Sequence, residues 1–511
     1  MKILTHSLLL AVTLMATVPA HARVTRFEVS STAPYGSFRP GEFVRVDGFV
    51  SGELSPNERI PGLDRASRNA RGQVEYRAPF VLIMPRDKSG GNGALLVEVP
   101  NRGRSIAHHL YNSPRDPFLP TGSFDRGNGF LQDHGFTLAA LQWELGQGIV
   151  LPTFTDGGKT LQVEGAGTAA IRDFADFLRN AGTDTAGMPN PVVGRIDRTL
   201  AVGYSQTARV LKSFLIEGLN DAGGRRVFDG MHLNASASGL ANIYATSTGP
   251  ESGTFFTPRF SQPDFRGVTE EPLTWTDIVG RVTARGQVPP KLLVTNMTTD
   301  YYSIRASLAR TGLDSTTDVP VPAMVRLYDV AGASHGRATA ATCEMAPGRL
   351  DAFPVMRATL LNLDRWVKDG VEPPASRLMP LEPRPEEKTV LQAPQHLPTA
   401  IVQAPRRDAD GNSIGGVRLP DMEAPLGTHG AQNLPLSDRA CNLNAAYIPF
   451  ARTLVERAAG DMRQALVERY VNRDDYIGRI RDAARRLVAD RFLLEGDVPE
   501  IESAASAAVL R

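Results

Sequence analysis

The stretch Thr199-Leu200-Ala201-Val202-Gly203-Tyr204-Ser205-Gln206-Thr207-Ala208 decides the fold reading of this chain. A short apolar run leads into Gly203, and the pattern from 208 to 219 is helical. A serine at such a junction predicts a nucleophile elbow, a sharp strand-to-helix turn that lifts the hydroxyl above a sheet. The helix N-terminus behind it offers N–H groups and a positive dipole to negative charge developing on a substrate oxygen. The chemistry this implies is nucleophilic, through a covalent acyl-enzyme. One position departs from G-x-S-x-G: Thr207 stands where a second glycine normally lets helix and strand approach closely.

The flanking runs extend the reading to an architecture. Residues 24–31, 43–50 and 74–84 alternate apolar and polar side chains, as half-buried strands do. From Ala94 the runs become continuously apolar, at 94–99, 136–143, 199–204, 230–235, 291–296 and 323–330. Such runs predict strands buried on both faces, and therefore a parallel sheet. Helical patterns at 167–180 and 206–219 lie between them, so the expected fold class is α/β, a mostly parallel doubly wound sheet with N-terminal β segments. A main domain is expected over 23–380, its last helix at 350–368. The Gly-, Pro-, Thr- and Phe-rich stretch 239–290 is expected as a small cap insertion, with a meandering surface loop as the alternative. Residues 381–511 read as a proline-rich wrap and a helical extension packed on the body. Two amphipathic helices are expected there over 444–491, burying Leu454, Leu466, Tyr470, Ile477, Ile480 and Leu487. Asp408-Ala409-Asp410-Gly411-Asn412 lacks the later acidic ligand of a calcium loop and reads as a turn.

Residues 1–22 combine Lys2, an apolar core at 8–16 and Ala20-His21-Ala22, the grammar of a secretory signal peptide. The core is too short for a stable membrane span, and no later segment is long enough for one. The expectation is an exported protein, periplasmic or extracellular. Its 56 basic and 55 acidic residues balance once Lys2 is removed, which leaves no electrostatic footprint for nucleic acid or an anionic membrane. In an oxidising compartment the two cysteines, Cys343 and Cys441, predict a disulfide. Neither has a C-x-x-C partner, so no metal site is expected there.

A serine nucleophile needs a base, and the base an acid to orient it; with this elbow the chain order is Ser, Asp or Glu, His. His6 and His21 leave with the signal, His108, His109 and His134 precede the serine, and His232 lies inside a strand. His396 and His429 fall in the wrap. His335 remains, in Val330-Ala331-Gly332-Ala333-Ser334-His335-Gly336, a loop of small residues after the last core strand. The acid is expected at Asp300, at the tip of the turn that follows 291–296. Its rivals are Asp229, at the wrong end of its strand, and Asp329, within one. An oxyanion hole would draw one N–H from Gln206 and another from the loop Pro100-Asn101-Arg102-Gly103-Arg104, with Asn101, Arg102 and Gly103 as candidates. Arg102 or Arg104 could also hold a substrate carboxylate, solvated turn arginines being the alternative. The mechanism calls for no cofactor. The sequons at Asn234 and Asn296 lie at strands and are set aside as chance.

Glu98-Val99-Pro100-Asn101-Arg102-Gly103, the elbow 203–207 and Asp329-Val330-Ala331-Gly332-Ala333-Ser334-His335 together resemble a family of bacterial α/β-hydrolase-domain proteins. Trp366-Val367-Lys368-Asp369-Gly370-Val371-Glu372-Pro373-Pro374 and Gly415-Gly416-Val417-Arg418-Leu419-Pro420 are similar too. The resemblance runs from the third β segment to the second cysteine, with Ala208 where glycine is usual. It implies an α/β-hydrolase fold and serine-hydrolase chemistry, with Ser205 as nucleophile, His335 as base and Asp300 as acid. It implies no substrate. The expected function is therefore an exported serine hydrolase acting on a small-molecule or acyl ester. The alternatives are a peptidase, amidase or acyltransferase with the same triad, and a binding protein on a hydrolase fold whose site has decayed.

Overall fold

The nine expected strands come together in one sheet in a computed structural model, which describes residues 23–113, 124–248, 273–312, 317–336, 343–383, 403–430, 432–433, 441 and 443–508. In chain order they are β1 (Arg23–Phe38), β2 (Gly41–Leu54), β3 (Val74–Pro85), β4 (Ala94–Glu98) and β5 (Thr137–Leu141). β6 (Arg198–Tyr204), β7 (Gly230–Asn234), β8 (Lys291–Met297) and β9 (Val325–Val330) complete it. Their order across the sheet is β1-β2-β3-β5-β4-β6-β7-β8-β9. The alternating N-terminal segments pair antiparallel as far as β5. From β5 through β4, β6, β7 and β8 to β9 every pairing is parallel.

Among the described residues the α-helices of five residues or more are α1 (Ala107–Tyr111), α2 (Gly165–Asn180), α3 (Gln206–Ile216), α4 (Trp275–Ala284), α5 (Thr298–Ser303), α6 (Phe353–Asp369), α7 (Arg473–Ala489) and α8 (Val498–Ala507). Both faces of the sheet are covered. Leu95 and Val97 of β4 and Ala201 of β6 join one core with Phe174 of α2, Phe214 of α3 and Ile278 of α4. Their chain neighbours Leu96, Leu200 and Val202 join a second core with Leu110 of α1, Leu360 of α6 and Leu487 of α7. Period-2 alternation thus splits each apolar run between two cores, which is why no polar residue interrupts it.

Two expectations about the periphery change. Of the cap expected over 239–290, residues 273–290 carry the crossover helix α4, whose Trp275, Ile278 and Val282 are buried in the sheet's core; residues 249–272 lie outside the described residues. The helix pair expected over 444–491 is instead a short strand, Tyr447–Pro449, an irregular segment, a turn of helix at Leu466–Arg469, and α7. Gly460, at φ +86°, turns the chain inside that irregular segment. Leu454, expected to be buried, is exposed there. The wrap reaches the main sheet, where Val417 bridges Val330 of β9. The expected signal peptide and His396 lie outside the described residues.

Candidate active site

β6 delivers its last residues into a backbone conformation that explains the elbow. Ser205 has φ +53° and ψ −111°, a region that non-glycine residues rarely adopt. The conformation is held from both sides: the Ser205 N–H donates to Asn234 O on β7, and its carbonyl accepts the Arg209 N–H of α3. Gly203 has no room for a side chain, because a Cβ there would lie 2.7 Å from the Ala208 N and from the carbonyl carbon and oxygen of Thr207. Thr207 is accommodated where the motif has glycine. Its hydroxyl accepts the Tyr204 N–H at 3.0 Å and donates to Tyr204 O at 3.2 Å, closing the turn with a side chain.

The loops after β8 and β9 bring the other two expected residues to the serine. His335 Nε2 is 3.0 Å from Ser205 Oγ, and His335 Nδ1 is 2.5 Å from Asp300 Oδ1. Asp300 is fully buried at the start of α5, and its second oxygen accepts the Met297 N–H at 2.7 Å. The His335 N–H donates to Thr299 Oγ1, so one short helix holds both the ring and the backbone of the histidine. Tyr204 packs its ring against the imidazole.

The rejected candidates have other work. Asp229 pairs with Arg179 and Arg226 at the opposite end of the sheet's parallel strands. Asp329 is buried under Tyr301 and Arg310, and burial pushes its carboxyl up to about 6. His232 meets Tyr111 in the core, where burial lowers its pKa to about 3. His108 is held likewise between Ser105 and Tyr35. Asp408 takes the N–H groups of Asp410 and Asn412 in its own turn, and Asp410 pairs with Arg469.

The 100–104 turn lies beside the elbow, tied by Asn101 Nδ2 to Tyr204 O at 3.0 Å. Its amides are not equally available. The Asn101 N–H donates to Arg104 O, the Arg104 N–H donates to Asn101 O, and the Glu144 carboxyl lies against the Arg102 backbone. Asn101 therefore drops out as an N–H donor to a substrate, for the physical reason that its amide already has an acceptor. The Gly103 N–H enters none of these bonds, on a residue with φ +75°. Gln206 opens α3, and an N–H at that position has no intrahelical acceptor. Arg102 and Arg104 are exposed, and the cavity beside His335 is lined by other residues.

That cavity holds about 440 Å³ and is walled by Tyr204, Leu110, Met297, Phe353 and Met356, with Arg349 and Asp351 as its charged lining. Sequence reasoning missed Glu144 and the loop brace formed by 443–447. The first carries no motif, and the second is recorded only in the disulfide. Cys343 and Cys441 are bonded as expected, with Cα atoms 5.7 Å apart. Among the described residues no helix is long and apolar enough to cross a membrane.

A family model described as an alpha/beta hydrolase domain matches residues 139–503. No curated protein matches the sequence. Among solved structures, a glucuronoyl esterase from Solibacter usitatus is 13% identical with a TM-score of 0.28, over 58% of this chain and 80% of that one. A CE15 glucuronoyl esterase from Teredinibacter turnerae T7901 is 10% identical with a TM-score of 0.31, over 68% of this chain and 81% of that one. The rice cell wall degrading esterase LipA from Xanthomonas oryzae is 11% identical with a TM-score of 0.28, over 59% of this chain and 90% of that one.

Proposed function

The chain belongs to the alpha/beta-hydrolase domain family, and from that premise we propose that it cleaves a carboxylic ester through a covalent acyl-enzyme. The observation that carries the reading is the unbroken relay from Asp300 through His335 to Ser205, with both contacts at hydrogen-bond distance. In this reading Ser205 Oγ attacks the ester carbonyl while His335 Nε2 takes its proton. Asp300 holds the Nδ1–H, so that Nε2 is the basic nitrogen, and stabilises the imidazolium that forms. The carbonyl oxygen, now an oxyanion, accepts the N–H groups of Gln206 and Gly103. His335 returns its proton to the departing alcohol oxygen, and a water attacking the acyl carbon repeats the sequence to release the acid and free Ser205.

The same reading places the protein outside the cytoplasm. The signal-like residues 1–22 and the Cys343–Cys441 disulfide, a bond that persists in oxidising compartments, both support export.

The test is covalent labelling with a fluorophosphonate probe, together with hydrolysis of p-nitrophenyl acyl esters. Wild type should label and turn over, and Ser205→Ala should do neither. Undiminished labelling or turnover in Ser205→Ala would exclude the mechanism.

A further inference from the structure

We propose that Glu144 is a positioning residue of the oxyanion site, locking the residue after the nucleophile to the turn that carries the second donor. The inference rests on the hydrolase reading above and goes beyond it to a residue that touches no substrate.

Three consecutive residues after β5 grip three different points of the 100–104 turn. Gln142 Nε2 donates to Gly103 O at 3.3 Å, Trp143 Nε1 donates to Pro100 O at 2.9 Å, and the Glu144 carboxyl lies against Arg102. The Glu144 carboxylate then reaches across to the elbow and accepts Gln206 Nε2 at 2.8 Å. Both side chains are buried, with Glu144 5% and Gln206 2% exposed. The two N–H donors assigned to the oxyanion, on Gln206 and Gly103, belong to separate segments of chain, joined behind the site by the β4–β6 pairing, the Val99 N–H on Val202 O and Asn101 Nδ2 on Tyr204 O. Glu144 adds a tie at the site itself, contacting the side chain of the first and the residue next to the second. Preorganised donors are effective because they need no reorganisation when charge develops, and that depends on such a brace.

The chemistry of the group suits the task. Burial raises the Glu144 pKa, while the Gln206 hydrogen bond and the nearby Arg102 cation favour the charged form. A carboxylate only accepts, which suits it to the Gln206 amide N–H on one side and to Arg102 on the other. A carboxamide at 144 keeps one acceptor for the Gln206 amide N–H.

The experiment compares Glu144→Ala, Glu144→Gln and Gln206→Ala with wild type for kcat and KM on a p-nitrophenyl ester and for the urea midpoint of unfolding. Glu144→Ala should lower kcat about 10- to 100-fold, the scale of a displaced catalytic group, with KM within about threefold. Glu144→Gln should recover most of kcat. Combining Glu144→Ala with Gln206→Ala should cost little more than either alone, because both cut the same tie. Gln206→Ala carries the test from the elbow side if Glu144→Ala does not fold. Full kcat in Glu144→Ala, or equal losses in Glu144→Ala and Glu144→Gln, would overturn the role of Glu144 while leaving Ser205 catalysis intact. Activity that survives Ser205→Ala would overturn the hydrolase reading, and this one with it.

Discussion

Adding one methyl group at Gly203 tests the elbow more sharply than removing the Ser205 hydroxyl does. A Cβ at that position would sit 2.7 Å from the Ala208 N and the Thr207 carbonyl, all of them backbone atoms that cannot rotate away. Ordinary contact begins at 3.4 Å, so α3 must withdraw from β6 by the difference, about 0.7 Å. Ser205 sits on the hinge of that displacement. Its hydroxyl, now 3.0 Å from His335 Nε2, and the Gln206 N–H move with the helix, whereas His335 and Asp300 stay with the β8 and β9 loops. A displacement near 1 Å at a reacting group costs on the order of 100-fold in rate. Gly203→Ala should therefore lower kcat about 10- to 100-fold. Overpacking of this kind should also cost about 1–3 kcal/mol of stability. KM should hold, since the cavity beside His335 is walled by other residues. Steady-state hydrolysis of a p-nitrophenyl ester, the rate of fluorophosphonate labelling and a urea titration read the three quantities. A Gly203→Ala enzyme with kcat within threefold of wild type and an unchanged urea midpoint would refute the packing argument.

Three further perturbations follow from single contacts. Thr207→Val keeps the side-chain volume but deletes the hydroxyl that closes the elbow, removing both of its bonds to the Tyr204 backbone. It should cost about 1–3 kcal/mol in a urea titration, and an unchanged midpoint would mean the hydroxyl is idle. Glu98 accepts Ser105 Oγ and the Ile106 and Ala107 N–H groups, yet burial outweighs them and pushes its carboxyl up to about 7. The folded chain then holds a proton that the unfolded chain has released, so this group's contribution to stability falls as pH rises from about 4.5 to about 7. Nearby His108, lowered to about 3 by burial, stays neutral through that window. Glu98→Gln should show a shallower decline than wild type between those pH values, and parallel profiles would refute the assignment. Finally, Cys343→Ser with Cys441→Ser releases a 98-residue loop and should cost about 2–5 kcal/mol, read as a lower urea midpoint; an unmoved midpoint would show the bond to be dispensable.

What the sequence disclosed and what it withheld divide along a physical line. The strands at 94–99, 199–204 and 291–296 were legible because burial on both faces imposes a local composition, and the meeting of Ser205, Asp300 and His335 could be expected because parallel strands carry the residues that follow them to one edge of the sheet. The use of Thr207 was not, since a hydroxyl replacing glycine reads as a steric fault until its bonds to Tyr204 are seen. Nor was the difference between Asn101 and Gly103, because which amide finds an acceptor within the turn depends on the turn's dihedral angles.

The His335 loop takes this further. Ser334 Oγ accepts the Ala445 N–H at 2.9 Å, the Gly336 N–H donates to Leu443 O at 2.9 Å, and the Gly348 N–H donates to Ala445 O at 2.7 Å. The residues on both sides of the histidine, Ser334 through its hydroxyl and Gly336 through its N–H, are thus held by a segment about a hundred residues downstream, next to Cys441. A loop of small residues, Gly332-Ala333-Ser334, restrains little by itself. In the folded chain the restraint comes from Thr298 and Thr299 of α5 and from the C-terminal extension, and the disulfide closes the second of these contacts. The extension is therefore part of what holds the imidazole in line with Ser205, and a truncation before 441 should reach the histidine before it reaches the sheet.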